Sequence, residues 1–264
     1  MQLSLSLVAL LTLLPVSLVR WRRQDARDAV FYAVALLAVA GPAAWVGLQL
    51  GGAWRTGFAM SLWVSVAVTM ALFLALAALT RHAWRLTPLL APLLLLLGLI
   101  ATVWQNAPDR PVGSAVPAGW LDAHIVFALV TYALLTIAAV AGAAVFLQER
   151  ALKSKHPNAL TRRLPAVADA ETLELGLLVA AETVLALGLA SGMAAEHFLH
   201  GGLLPLDHKT VLSIAAFLVI GGLLVARRRN GIRGRRAARL VLLAYLLLTL
   251  AYPGVKFVTD VLMA

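Results

Sequence analysis

Hydrophobic and polar positions alternate along this chain in whole segments rather than residue by residue. Apolar runs fall near 2–19, 29–50, 57–80, 87–104, 121–147, 172–194, 209–226 and 237–258, separated by short stretches rich in Arg, Pro and Gly. At about 1.5 Å of rise per residue each run is long enough to cross ~30 Å of hydrocarbon as a helix. The pattern predicts an all-α membrane protein with eight transmembrane helices in a single polytopic domain over 1–264. The first run has no basic residue ahead of it and no small-x-small cleavage site. Arg20, Arg22 and Arg23 follow it directly, so it reads as a retained helix rather than a removed leader.

Charge then orients the helices. Eighteen of the 22 Lys and Arg lie in alternate loops: 1–2, 3–4, 5–6 and 7–8. Only Arg55, Arg110, Lys209 and Lys256 fall on the opposite side. The positive-inside rule places the eighteen in the cytoplasm and both termini on the outer, periplasmic side of a bacterial inner membrane. The net charge of +10 is therefore a topology signal, and no nucleic-acid partner is inferred from it. The 148–171 segment reads as a partly helical cytoplasmic connector whose cations can touch anionic membrane lipid. The 105–120 segment, with three prolines, reads as an irregular outer loop ending at the Trp120 interface anchor.

Composition narrows the chemistry further. With 62% hydrophobic and 13% charged residues and a mean hydropathy of +0.90, the chain exposes more apolar surface than a water-soluble domain could bury. The absence of Cys excludes disulfides, thiolate metal sites, Fe–S clusters and covalent haem attachment to this chain. No H-E-x-x-H, G-x-S-x-G or phosphate-loop signature is present. The chain is not expected to be an enzyme.

The remaining candidates cluster at the outer face. His124 opens the fifth run, in WLDAHIVFALVTYA, with Asp122 beside it. His197, His200 and His208 flank the short stretch between runs six and seven, with Glu196 and Asp207 among them. A neutral imidazole at such a boundary can ligate a metal or a haem iron, or can simply be solvated there. If helix six continues by one more turn, His197 and His200 share a face. Glu182 lies midway along run six, where a carboxylate must face the bundle or a wet cavity. It is expected to be protonated and bonded to a hydroxyl such as Thr131 or Thr136. Glu174 is expected to be solvated near the inner end.

Beyond these readings, several motifs in order resemble CcsA/CcmC-type cytochrome c assembly proteins. They are the helix opening on His124 and carrying Tyr132-Ala133, then GLASG at 188–192, Asp207-x-Lys209, GIRGRRAAR at 231–239 and AYPGVKF at 251–257. The HemX- and YpjD-like branch is the nearest in pattern. The resemblance implies a haem b site with His124 as an axial ligand. A second ligand would come from His197, His200, His208 or Met263, and the partner would be an apocytochrome or a second assembly subunit. Three departures stand beside it. No Trp lies between Gly192 and Lys209, Arg227 stands where the family's inner His would be, and Met263 where its last outer His would be. Those departures fit an alternative, a haem-free accessory subunit of a transporter or enzyme. A further alternative is metal-ion or proton translocation through Glu182 and the His cluster.

Overall fold

The computed structural model describes residues 2–22, 27–50, 55–108, 110–111, 118–202 and 207–263. The side chains of 2, 19–22, 55–56, 110–111, 118 and 199–200 lie outside that description. Eight helices are formed: α1 Gln2–Arg22, α2 Ala29–Leu50, α3 Phe58–Leu79, α4 Thr87–Val103, α5 Ala118–Ser154, α6 Val167–His200, α7 His208–Asn230 and α8 Gly234–Thr249. Seven spans among the described residues are long and apolar enough to cross a membrane. The apolar part of α1, Leu3–Leu18, falls short of that length. Arg20 and Arg22 lie in α1 with undescribed side chains, and Arg23 lies outside the described residues.

The apolar runs mark these helices well, but their polar ends extend past the hydrocarbon-length core. Helix α5 begins at Ala118, so Trp120 sits inside its first turn rather than at the end of an irregular loop. It runs on to Ser154, taking in the first part of the expected connector. Helix α6 continues through His200 and stops only at Gly201, whose left-handed backbone (φ +70°) makes the C-cap. His197 and His200 therefore lie on the last turns of α6. One two-residue antiparallel ladder joins the segments before α3 and before α5, pairing Arg55 with Pro111 and Thr56 with Arg110.

Helix α5 is the hub, packing on α6, α8 and α3. It allows this because small residues line its buried faces. Ala138, Ala141 and Ala144 are fully buried, as are Ala237 and Ala244 of α8, so the helix backbones approach closely. The Leu and Val side chains left exposed on other faces, such as Leu36, Leu96 and Val225, form the surface suited to lipid. The first four helices make a second packing unit. Within it Trp45 Nε1 of α2 donates to Ser6 Oγ of α1 at 2.9 Å, and Ser6 Oγ donates to Gln105 Oε1 at 2.9 Å.

Past Thr249 the last helix changes its winding. Two π-helical turns, Leu250–Gly254 and Val258–Leu262, bracket a short α turn, Val255–Phe257. Pro253 lacks the N–H an α-helix would use at that point, and a wider turn accommodates the break. The extension carries Phe257 against Phe58 (5.2 Å between centroids) and Trp104 (5.6 Å), which ties α8 to the first four helices.

Two carboxylates depart from expectation. Glu182 does not bond to Thr131 or Thr136. Thr136 Oγ1 donates to the carbonyl of Tyr132 at 2.7 Å, the usual bond of a helical Thr to the preceding turn, and Thr131 Oγ1 has no partner among the described residues. Glu182 instead lies against α7 at Gly221, where a Cβ would come 2.8 Å from its Oε1. Glu174 is not solvated either. It is buried and ion-paired with Arg227, which the last turn of α7 brings to the same depth.

Candidate functional site: the His124 cavity

His124 sits on the second turn of α5, and what holds it comes from α6. Its Nδ1 lies 2.9 Å from Ser191 Oγ, and the Ser191 hydroxyl donates to the carbonyl of Gly188 at 2.9 Å. With the hydroxyl hydrogen committed to Gly188, Nδ1–H is the donor to Ser191 Oγ. That tautomer leaves the Nε2 lone pair available. The side-chain hydrogen bond that the described residues make to the ring is at Nδ1. Ligand histidines are commonly fixed in this way, one ring nitrogen held by a protein acceptor and the other left for a metal.

Glycine at 192 makes the arrangement possible. A Cβ there would stand 3.1 Å from His124 Cε1, so the bare backbone lets the ring approach α6 closely. Trp120, one turn earlier on α5, adds a second tie by donating Nε1–H to the carbonyl of Ser191 at 2.9 Å. Its ring meets Phe198 edge-on at 6.5 Å. The two residues that anchor His124, Ser191 and Gly188, belong to the GLASG stretch of α6.

Below the imidazole lies a cavity of about 180 Å³. Thr131 and Tyr132 of α5, Leu185 and Leu189 of α6, Leu248 of α8 and Tyr252 of its extension form its walls, and Lys209 and Ser213 of α7 also line it. Its surface is overwhelmingly apolar, with a few polar groups at fixed places, the ordinary composition of a small-molecule site. Tyr132 packs against Tyr245 and Tyr252, with ring centroids at 5.8 and 6.4 Å. Thr249 Oγ1 donates to the Tyr245 carbonyl at 2.8 Å, so it accepts from Tyr132 O–H at 3.4 Å. Thr131 Oγ1 is buried at the cavity with no partner among the described residues, a polar atom that a ligand could satisfy.

Of the expected site residues, the structure brings His124, Tyr132 and Lys209 to one cavity. His197 and His208 are exposed and do not line it, and Met263 is 77% exposed near the chain end. The side chain of His200 and residues 203–206 lie outside the described residues. Asp207 caps α7, accepting Thr210 N–H on Oδ1 at 2.8 Å. Burial works against its charge, but the bonds from Thr210 and the nearby Lys209 and His208 outweigh it and hold its carboxyl below the usual range. Among the described residues no three His, Asp or Glu side chains converge in a metal-binding group.

Sequence reasoning missed Ser191, Thr249, Tyr245, Tyr252 and the Glu174–Arg227 pair. GLASG and AYPGVKF were in view as motifs, and Ser191 and Tyr252 are their polar members. Arg227 stands at the position where the resemblance puts an inner His. There it is 8% exposed and joined to Glu174, which is 1% exposed. Nothing in helical periodicity pairs those two residues.

Apolar membrane-crossing helices define a multi-pass membrane protein, with one anchored imidazole over an apolar cavity at one end of its bundle. The chain matches the family model described as "Cytochrome C assembly protein" over residues 4–263. It belongs to the cytochrome c assembly protein family, and that membership supports a role in cytochrome c biogenesis. It is 56% identical over 263 residues to a protein of Azospirillum brasilense described as "Uncharacterized 28.8 kDa protein in nifR3-like 5'region", covering 98% of this chain and 97% of that one. No solved structure matches the chain.

The family implies haem, and the cavity fits it in part. The donor chemistry suits one axial bond, from Nε2 of an imidazole whose other nitrogen is held. A cavity of about 180 Å³ is smaller than the ~300–1,000 Å³ typical of drug-sized ligands, so it is too small to enclose a whole porphyrin.

Proposed function

We propose that this protein holds haem b at the outer face of a bacterial inner membrane during cytochrome c assembly, with His124 as an axial ligand. The observation that carries this reading is the anchoring of His124 Nδ1 by Ser191 at an apolar cavity that His124 lines. Bound haem would supply the cargo for covalent attachment elsewhere. The chain itself orients the imidazole through Ser191 and Gly188, excludes water with Leu185, Leu189 and Leu248, and offers the Lys209 ammonium to an acidic substituent of the ligand. Having no Cys, it leaves the thiols to an apocytochrome or a second assembly subunit, and no bond-making step is assigned to it. The candidates for a second axial ligand are His197, His200, His208 and Met263, and none of them lines the His124 cavity among the described residues. With α1 counted as an eighth crossing and both termini outside, the topology that the charge pattern predicts, the His124 end of the bundle would face the periplasm. The order of the sequence motifs supports the HemX- and YpjD-like branch as the chain's nearest kin within the family.

The test is an absorption spectrum of the detergent-purified protein, oxidised and reduced, for wild type and His124→Ala. A Soret band that sharpens on reduction and weakens in the variant supports the reading. A featureless spectrum after haem is added contradicts it. The small cavity and the conversion of the inner ligand position to an ion-paired Arg227 favour a second reading, a haem-free accessory subunit of a transporter or enzyme, which the featureless spectrum would leave standing.

A further inference from the structure

At the opposite, arginine-rich end lies a groove of about 840 Å³ between α6 and α7, sharing no residue with the His124 cavity. Its apolar walls are Leu175 and Val179 of α6 and Leu224 and Val225 of α7. Leu175, Val179 and Val225 are exposed, so the walls open onto the lipid-facing surface. Arg227 and Arg228 of α7 and Arg233 of the turn after it line the same groove.

The cations are only partly used within the protein. Arg227 is buried and pairs with Glu174 through one terminal nitrogen, but its Nε has no partner among the described residues. Arg228 and Arg233 are exposed, and no described carboxylate pairs with them. The one acidic member of the lining, Glu171, accepts the Gly234 N–H at 2.7 Å and so serves the turn between α7 and α8. The groove thus has a cationic mouth continuous with an apolar trough along two membrane-crossing helices.

We propose that it binds a diacyl anionic phospholipid, with the phosphate at Arg228 and Arg233 over Arg227 and an acyl chain along Leu175, Val179 and Leu224. Basic pockets between membrane helices recognise acidic head groups by such a combination. A free phosphate uses the cations and leaves the trough empty. A zwitterionic lipid fills the trough and leaves the cations without a net negative partner. Only an acidic lipid satisfies both parts, and the proposal does not depend on whether the protein binds haem.

The test is lipid binding by native mass spectrometry of the detergent-purified full chain, titrated with dioleoyl phosphatidylglycerol or dioleoyl phosphatidylcholine. Phosphatidylglycerol should bind about tenfold or more tightly than phosphatidylcholine, and millimolar inorganic phosphate should not displace it. Arg228→Gln with Arg233→Gln should remove most of that preference, because each cation near a membrane surface contributes to binding an acidic head group. Arg229→Gln with Arg239→Gln, which removes the same charge outside the groove, should leave it in place. Val225→Trp, which fills the trough, should weaken phosphatidylglycerol without touching a charge. Equal binding of the two lipids, full displacement by phosphate, equal loss in both arginine pairs, or an unaffected Val225→Trp would each overturn the proposal.

Discussion

His124 Nδ1 and Ser191 Oγ lie 2.9 Å apart across 67 residues of sequence, and that contact decides which ring nitrogen carries the hydrogen. The carbonyl of Gly188 takes the Ser191 hydrogen, so the imidazole can only donate to the serine. The site's chemistry therefore depends on α6 as much as on the helix that carries the histidine.

Ser191→Ala removes that acceptor without touching a candidate ligand. Haem affinity, measured by absorbance titration, is expected to fall about 10- to 100-fold, as for other outer partners of ligand histidines. Ser191→Thr, which keeps a hydroxyl, should lose less. Unchanged affinity in Ser191→Ala would show that the anchoring contact has no bearing on binding.

Arg227 and Glu174 form a buried pair at the other end of the bundle, and each isolates the other from solvent. Removing one partner leaves an uncompensated buried charge, so Arg227→Met is expected to destabilise the protein by about 3–5 kcal/mol. Thermal unfolding in mild detergent would read this as a large fall in Tm. Glu174→Leu combined with Arg227→Met should recover most of the loss, because the penalty belongs to the orphaned charge. Gly142→Ala should disturb the same place, since its Cβ would meet Glu174 Oε1 at 2.9 Å and Ala238 Cα at 3.5 Å. A double variant as unstable as the singles would contradict the pairing.

Asp207 sets the pH dependence of the α7 start. Its carboxyl titrates below the usual range because, despite some burial, Thr210, Lys209 and His208 favour the charged form. A depressed folded pKa contributes stability that is fully present above the unfolded value of about 3.9 and is lost as pH falls through the lower folded value. Asp207→Ala should therefore cost about 1 kcal/mol at neutral pH, as for loss of a helix cap. Its difference from wild type should shrink below about pH 4. Hydrogen exchange at the Thr210 amide would follow this directly, and a difference that persists unchanged into acid would rule out the carboxylate as its source.

The helix cores were legible because a hydrocarbon-length apolar run is an unambiguous signal. The polar ends of α5 and α6 were not, since hydropathy registers only the part that lies in lipid. Gln148 shows why the connector after α5 is partly ordered: its Nε2 donates to the Thr161 carbonyl at 2.8 Å and the Pro165 carbonyl at 3.0 Å. His124 stood out as an imidazole at the lip of a run, and Tyr132 and Lys209 came with the family pattern. Ser191 and Thr249 were hidden because a hydroxyl in an apolar helix usually bonds to its own preceding turn, and which ones also reach a neighbour depends on packing. Glu174 was misplaced for the same reason: its burial depends on where α7 delivers Arg227, a relation between two helices that neither sequence states alone.

Chemical rescue is the sharpest test of the proposal that His124 is an axial haem ligand. The His124→Gly variant would be titrated with haem in detergent, with and without free imidazole, and followed by absorption. If His124 is the ligand, binding weakens and the Soret band changes in the variant, and imidazole restores the wild-type spectrum by occupying the vacated ligand position. Wild-type haem binding in His124→Gly without imidazole would contradict it, as would loss of binding that imidazole leaves unchanged while the variant remains folded.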